Sequence, residues 1–231
     1  MSAFFARRIA LAIGAIMVLG LAARAASAQQ EFPPPSGKGR VVVVFSGATG
    51  PAHYTTATAE IAKLGYDAVL FDGNAIVGTR GAAVKAFILQ AQQEPHALPG
   101  KVALVGFSLG GGMALIFGTQ LPDLVTVAVA WYPLTNVIRD VPSFSSRLKV
   151  PVLLLAGEAD AGTRKDPGCC RIETARDIAA GASAHGLPFE LVTYPGAQHD
   201  FVYGGEHYDA RAYADALQRT AAKLKSALGG P

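Results

Sequence analysis

The sequence has little cysteine: two residues among 231, and they are neighbours, Cys169 and Cys170. Adjacent cysteines cannot link distant segments, so a disulfide framework is excluded and the fold must depend on its hydrophobic core. Because a ring closed by adjacent residues is strained, we expect the two thiols to stay unpaired; a disulfide between them and one between chains are the alternatives. No further cysteine or nearby histidine completes a four-ligand set, which argues against a metal site.

The start of the sequence lacks an apolar run long enough to cross a membrane. The uncharged stretch at residues 9–23 has 15 residues, fewer than the roughly 18 expected of a span. Two adjacent arginines precede it and an A-x-A site ends at Ala28, a combination typical of a signal peptide cut before Gln29. We therefore expect residues 1–28 to be removed and the protein to be periplasmic or secreted, without membrane attachment after cleavage. An uncleaved anchor is the alternative.

An excess of one charge is missing from the rest of the chain. The whole sequence has 20 Lys and Arg against 17 Asp and Glu, but three arginines and no acid lie in residues 1–28, so 17 of each remain. This balance excludes a basic surface for nucleic acid or anionic lipid, and a small molecule is the expected partner. The remaining residues suffice for one domain, expected as a monomer or weak homodimer.

Strand-like and helix-like segments alternate about six times through residues 40–231, after a polar extended tail at residues 29–39. The strand-like runs lie at 41–45, 67–71, 101–105, 125–131, 152–156 and 189–193, and the helix-like runs at 55–64, 81–93, 109–120, 171–185 and 208–228. The alternation predicts an α/β domain with a mostly parallel sheet of six to seven strands and helices on both faces. Ligands of such sheets bind at the C-terminal strand ends. No segment is long enough for a lid domain.

Ser108 lies in a G-x-S-x-G motif between the third of these strands and the helix that follows. In a nucleophile elbow of this kind the turn is so sharp that the serine hydroxyl stands clear at the C-terminal edge of the sheet. Glycines two residues before and after Ser108 allow the strand and helix to approach closely. The motif and its context predict that Ser108 is a nucleophile.

A serine nucleophile needs a base and an acid that orients the base. Of the five histidines, only His53 and His199 follow strands at the active edge, and His199 follows the last strand. We favour His199 as general base. Asp160 follows the strand at 152–156 and is expected to orient the imidazole, with Glu158 as the alternative. The order Ser108, Asp160, His199 is that of the α/β-hydrolases.

Attack by serine creates an oxyanion, which two backbone N–H groups commonly stabilise. Leu109, directly after the nucleophile, is one expected donor. The second is expected from the loop after the first strand, where Ala48 is the favoured residue.

With these motifs in place, the chain resembles the dienelactone hydrolase branch of the α/β-hydrolases. The matching segments lie at 41–45, 64–72, 106–111, 156–160 and 194–201. The resemblance implies an α/β-hydrolase fold and hydrolysis of esters or lactones through an acyl-enzyme, without metal or organic cofactor.

Three departures from that family distinguish this chain. Dienelactone hydrolases use a cysteine nucleophile where this chain has Ser108, and a loop glutamate where it has Gly47. They also carry an arginine shortly after the histidine, a place near which this chain has Tyr203. These departures imply a more general esterase rather than an enzyme for dienelactone itself.

The substrate pocket is expected to be open and suited to small soluble esters. Five aromatic residues near strand ends at the active edge are candidates for its wall: Tyr54, Trp131, Tyr132, Phe201 and Tyr203. The loop at 161–170 is expected to bring Cys169 and Cys170 beside the pocket.

Two other functions remain open from the sequence. A non-catalytic homologue could bind a ligand in the same cleft, although none of the three triad residues is missing. A dinucleotide-binding protein is suggested by the glycine-containing loop at 44–50, but the last glycine of that pattern would fall at His53.

Overall fold

A computed structural model of the chain describes residues 29–230, so the predicted signal peptide lies outside the described residues. The strands are β1 (Gln30–Phe32), β2 (Gly39–Phe45), β3 (Asp67–Phe71), β4 (Ala97–Phe107), β5 (Val125–Trp131), β6 (Val152–Gly157) and β7 (Phe189–Tyr194). The α-helices are α1 (Thr55–Lys63), α2 (Ala82–Ala91), α3 (Leu109–Ile116), α4 (Val141–Ser146), α5 (Ile172–Ala184) and α6 (Ala210–Leu228). Short 3-10 helices lie at Pro51–Tyr54, Gly73–Ile76 and Gly118–Gln120.

All seven strands form one sheet in the order β1-β3-β2-β4-β5-β6-β7. Only β1 runs antiparallel to its neighbour, which confirms the predicted mostly parallel sheet. Numbered in chain order, the six parallel strands follow the order 2-1-3-4-5-6. A dinucleotide-binding domain has the order 3-2-1-4-5-6, so the topology argues against that alternative.

The hydrophobic core fills both faces of the sheet, which explains why the central strands are continuous apolar runs. In β2, Val42 and Val44 pack towards α1 and α6, whereas Val41 and Val43 pack towards α2 and α3. Helices α4 and α5 complete the second face, over β5 and β6. Among residues 29–230, no helix is long and apolar enough to cross a membrane.

Two elements differ from the sequence prediction. Residues 29–39 are not only a tail, because Gln30–Phe32 form the edge strand β1 and pair with Ala68–Leu70 of β3. A three-residue polar strand has too few side chains to show a pattern; its pairing comes from the open edge of β3. Helix α4 was also missed, because it spans only six residues; it begins with an Asp140 cap whose carboxylate accepts from the Ser143 N–H.

A buried acid marks the start of β3. Asp67 is fully buried beside Glu31 of β1. Burial, then the charge of Glu31, raises the pKa of the Asp67 carboxyl to about 7, while His96 opposes the shift and Glu94 adds to it. Between the unfolded value of about 3.9 and 7, the folded state therefore holds a proton that the unfolded state has released. Stability must fall as pH rises through this window.

We expect Asp67→Asn to remove this loss of stability at high pH. The neutral amide does not ionise, so the variant should be more stable than the wild type at pH 8 by on the order of 3 kcal/mol, with little difference at pH 4. Thermal or urea unfolding between pH 4 and 8 measures the effect. Asp123→Asn, at an exposed acid, is the matched control. Parallel pH curves for Asp67→Asn and wild type would contradict the prediction.

Candidate active site

Ser108 occupies a strained turn between β4 and α3. Its backbone has φ 50° and ψ −115°, a region that non-glycine residues rarely adopt. The Ser108 N–H donates to the Trp131 carbonyl at 3.0 Å, and the Ser108 carbonyl accepts from the N–H groups of Gly112 and Leu134. These bonds fix the turn to β5 and α3. Its shape agrees with the predicted nucleophile elbow.

The two glycines of the motif are required by close backbone contacts. A Cβ at Gly106 would collide with the carbonyl of Gly110, and a Cβ at Gly110 would collide with the carbonyl of Phe45. The sequence therefore places α3 directly against β2 and β4, with the Ser108 side chain at the sheet edge.

A hydrogen-bonded chain joins Ser108, His199 and Asp160. Ser108 Oγ lies 3.0 Å from His199 Nε2, and His199 Nδ1 lies 3.0 Å from Asp160 Oδ2. The His199 and Asp160 side chains are 5% and 0% exposed. With Nδ1 protonated, His199 donates to Asp160 and its Nε2 accepts from the serine hydroxyl. The three residues that the sequence singled out thus lie in the geometry of a catalytic triad.

The alternative acid, Glu158, lies elsewhere. Its carboxylate accepts from Thr193 Oγ1 at 2.8 Å and pairs with Arg176 at 3.2 Å. Asp160 is further fixed by the Gly162 N–H, which donates to its Oδ1 at 2.7 Å. The other candidate base, His53, contacts the Asp200 carboxylate at 2.9 Å.

A cavity of about 600 Å³ opens beside the Ser108 hydroxyl. Ala48 and Leu109, the expected oxyanion donors, both line it, and so does His199. The loop at 161–170 contributes Gly162–Asp166 and Cys169 to the lining. The arrangement places a buried serine and a buried histidine at a space large enough for a small organic ligand.

Of the five aromatic residues expected around the pocket, only Tyr54 lines this cavity. Trp131, Tyr132 and Phe201 are fully buried beneath it. The Trp131 ring stacks on that of Phe201, and the Tyr132 ring meets the Phe201 and His199 rings edge-on at 5.1 and 5.0 Å. Tyr203 is 55% exposed and packs against Tyr208. The three buried aromatic side chains pack on one another and against His199, and they therefore do not line the cavity.

Asp200 is a site residue that the sequence analysis missed. Its carboxylate accepts from His53 Nε2 and from the Tyr132 hydroxyl, at 2.9 and 3.3 Å, while its backbone has a φ of 63°. Burial, and then the charge of Asp200, raises the pKa of the Tyr54 hydroxyl far above its usual value. Tyr54 therefore stays protonated and neutral. The positive φ of Asp200, directly after His199, has no signal in the sequence from which it could be predicted.

The Tyr54 hydroxyl also explains the glycine at position 47. It contacts Thr49, Tyr132 and the backbone of Gly47, and a Cβ at Gly47 would collide with it. The loop that carries Ala48 is thus supported by a tyrosine hydroxyl in the space where a residue-47 side chain would lie.

The expectation of unpaired cysteines is wrong: Cys169 and Cys170 form a disulfide. The loop that carries them folds back on itself, with a bridge between Gly162 and Pro167, and buries both side chains together. Cys169 lines the cavity, as the sequence analysis expected of this loop. Within residues 29–230, Cys169, Cys170 and His199 are also the one group of potential metal ligands, with ligand atoms within 4.8 Å of one another.

Comparison with known proteins gives consistent matches. The model of the Dienelactone hydrolase family matches residues 74–228. Protein usf of Aquifex pyrophilus is 26% identical over 149 residues, which cover 64% of this chain and 60% of that protein. The chain therefore spans less than two thirds of this curated relative.

Solved structures share the architecture. The dienelactone hydrolase-like promiscuous phosphotriesterase P91 from metagenomic libraries has a TM-score of 0.67 at 21% identity, covering 83% of this chain and 88% of that one. The thermophilic esterase Est2 of Thermogutta terrifontis has a TM-score of 0.64 at 19% identity, covering 87% and 88%. These similarities establish the α/β-hydrolase fold.

Proposed function

The chain belongs to the dienelactone hydrolase family, and from that premise we propose that it is a serine hydrolase of small carboxylic esters or lactones. The observation that carries the proposal is the buried hydrogen-bonded chain from Ser108 through His199 to Asp160, which faces a cavity of about 600 Å³. A non-catalytic ligand-binding protein would have no need of this arrangement.

The first half of the proposed reaction forms an acyl-enzyme. Ser108 Oγ attacks the ester carbonyl carbon while His199 Nε2 takes the hydroxyl proton. Asp160 keeps Nδ1 protonated and stabilises the imidazolium that results. The N–H groups of Leu109 and Ala48 are proposed to stabilise the oxyanion, since both residues line the cavity beside Ser108. His199 then returns the proton to the leaving alcohol.

The second half releases the acid. Water enters the cavity, loses a proton to His199 Nε2, and attacks the acyl carbon. Collapse of the second oxyanion breaks the bond to Ser108 Oγ, which recovers its proton from His199.

The signal peptide predicted at residues 1–28 supports a second part of the proposal, that the protein acts in the periplasm or outside the cell on a soluble substrate.

The proposed substrates are small because the cavity is bounded by the loop at 161–170. We expect kcat/KM for acetyl and butyryl esters of p-nitrophenol to exceed that for a palmitoyl ester by at least about tenfold, since a long chain extends into water. Arg164 and Lys165 of this loop are among the residues that line the cavity. A panel of acyl lengths and simple lactones, assayed with soluble substrate below its aggregation limit, provides the measurement. Equal or higher kcat/KM for the palmitoyl ester would contradict the proposal.

A further inference from the structure

The disulfide between Cys169 and Cys170 lies directly against the proposed catalytic histidine. The two Sγ atoms and a ring nitrogen of His199 all lie within 4.8 Å of one another. All three residues are buried, yet Cys169 and His199 line the cavity, so small solutes reach them through it. Joined in a disulfide, the sulfurs are poor metal ligands; as two thiolates they would be strong ones.

The backbone holds the cysteines in place independently of the bond between them. The Cys169 carbonyl accepts from the N–H groups of Thr135 and Asn136 at 2.8 and 3.0 Å. The Asn136 side chain also donates to the Asp166 carboxylate at 2.9 Å. These contacts tie the loop at 161–170 to the segment after β5. Reduction of the disulfide should therefore leave both sulfurs beside His199.

We propose that the dithiol form of Cys169 and Cys170, together with His199, binds one thiophilic divalent cation such as Zn²⁺. Two thiolates and an imidazole are the ligand types that such cations prefer, and they leave a fourth position for water. Because Nδ1 of His199 is hydrogen-bonded to Asp160, the cation binds Nε2 of His199, the atom that faces Ser108 Oγ. A bound cation then prevents His199 Nε2 from acting as the general base. This inhibition rests on the proposed function, whereas the binding itself does not.

The redox step balances with a phosphine as reductant. Phosphorus attacks one sulfur, the Cys169–Cys170 bond breaks, and water supplies the oxygen of the phosphine oxide and the two protons of the thiols. Two electrons pass from phosphorus to sulfur. Binding of the divalent cation then releases the two thiol protons. The oxidised protein, with the same sequence and fold, is the natural control.

Binding is tested with cobalt as the spectroscopic probe. The full-length protein is reduced with a phosphine, desalted without oxygen, and titrated with Co²⁺. We expect one equivalent to bind, with the near-ultraviolet absorption of sulfur-to-cobalt charge transfer, and no such band in the oxidised protein. His199→Ala should keep the band but weaken Co²⁺ affinity at least about tenfold through loss of one ligand. His185→Ala, at an exposed histidine, should leave the affinity unchanged.

Inhibition is tested with Zn²⁺ in the ester assay. Stoichiometric Zn²⁺ should lower turnover by the reduced protein at least about tenfold, reversibly on chelation, and leave the oxidised protein active. No charge-transfer band in the folded, reduced protein would overturn the binding site. Zn²⁺ inhibition of the oxidised protein, or of a Cys169→Ser/Cys170→Ser variant, that is as strong as inhibition of the reduced wild-type protein would overturn the proposed inhibition. If neither redox form hydrolyses any ester, the proposed function fails, while the cobalt band still decides the binding site.

Discussion

Ser108→Ala and His199→Ala are each expected to lower kcat for ester hydrolysis by about 10⁵- to 10⁶-fold. Removing either the nucleophile or the base of a hydroxyl–imidazole pair costs nearly as much as removing both, because neither works without the other. The structure gives a direct reason: Ser108 Oγ and His199 Nε2 share one hydrogen bond of 3.0 Å. The double variant should therefore be about as slow as each single one.

Stopped assays at high enzyme concentration measure these rates, and thermal unfolding verifies the fold. Ser146→Ala and His185→Ala alter an exposed serine and an exposed histidine and should keep the wild-type rate. A Ser108→Ala variant with more than about a hundredth of wild-type kcat would contradict the nucleophile assignment, since the residual rate would require another group.

Asp160→Asn is expected to lower kcat by about 10⁴-fold, the second largest effect. The Gly162 N–H donates to Oδ1 of Asp160, so the amide oxygen of an asparagine would take that position. Its NH₂ group would then face His199 Nδ1 and force that nitrogen to accept. The proton would move to Nε2, where it would block deprotonation of Ser108. The loss of kcat thus comes from the wrong tautomer of His199, while the fold stays intact.

Glu158→Gln is the matched control, because Glu158 lies two residues from Asp160 in the same loop but bonds Thr193 and Arg176. It should retain kcat within about threefold, as surface ion pairs contribute little. Steady-state kinetics of both variants with one ester provides the comparison. A large loss in Glu158→Gln with near-normal Asp160→Asn would reverse the assignment of the acid.

The sequence predicts the structure correctly where local pattern and chain order determine it. The strand at 125–131 was placed at its observed bounds, because a central strand is apolar on both faces and bounded by polar turns. Ser108, Asp160 and His199 each follow a strand that ends at one edge. A parallel sheet brings such residues together wherever they lie in the chain.

Prediction from the sequence fails where contacts between distant segments determine the structure. Strand β1 exists because the edge of β3 is open to it, and nothing in Gln30–Phe32 records that edge. Trp131 and Phe201 stack on each other beneath the His199 loop, although each alone resembles a pocket residue. The disulfide between Cys169 and Cys170 is likewise not predicted, because it forms in a loop at 161–170 that folds back on itself, although the sequence does predict that this loop lies beside the pocket.

The central claim, that Ser108 is an activated nucleophile, is tested most directly with a fluorophosphonate probe and peptide mass mapping. We expect the wild-type protein to gain one phosphonyl group on the peptide that contains Ser108, and Ser108→Ala to gain none. A folded wild-type protein that stays unlabelled, or equal labelling of Ser108→Ala, would contradict the claim.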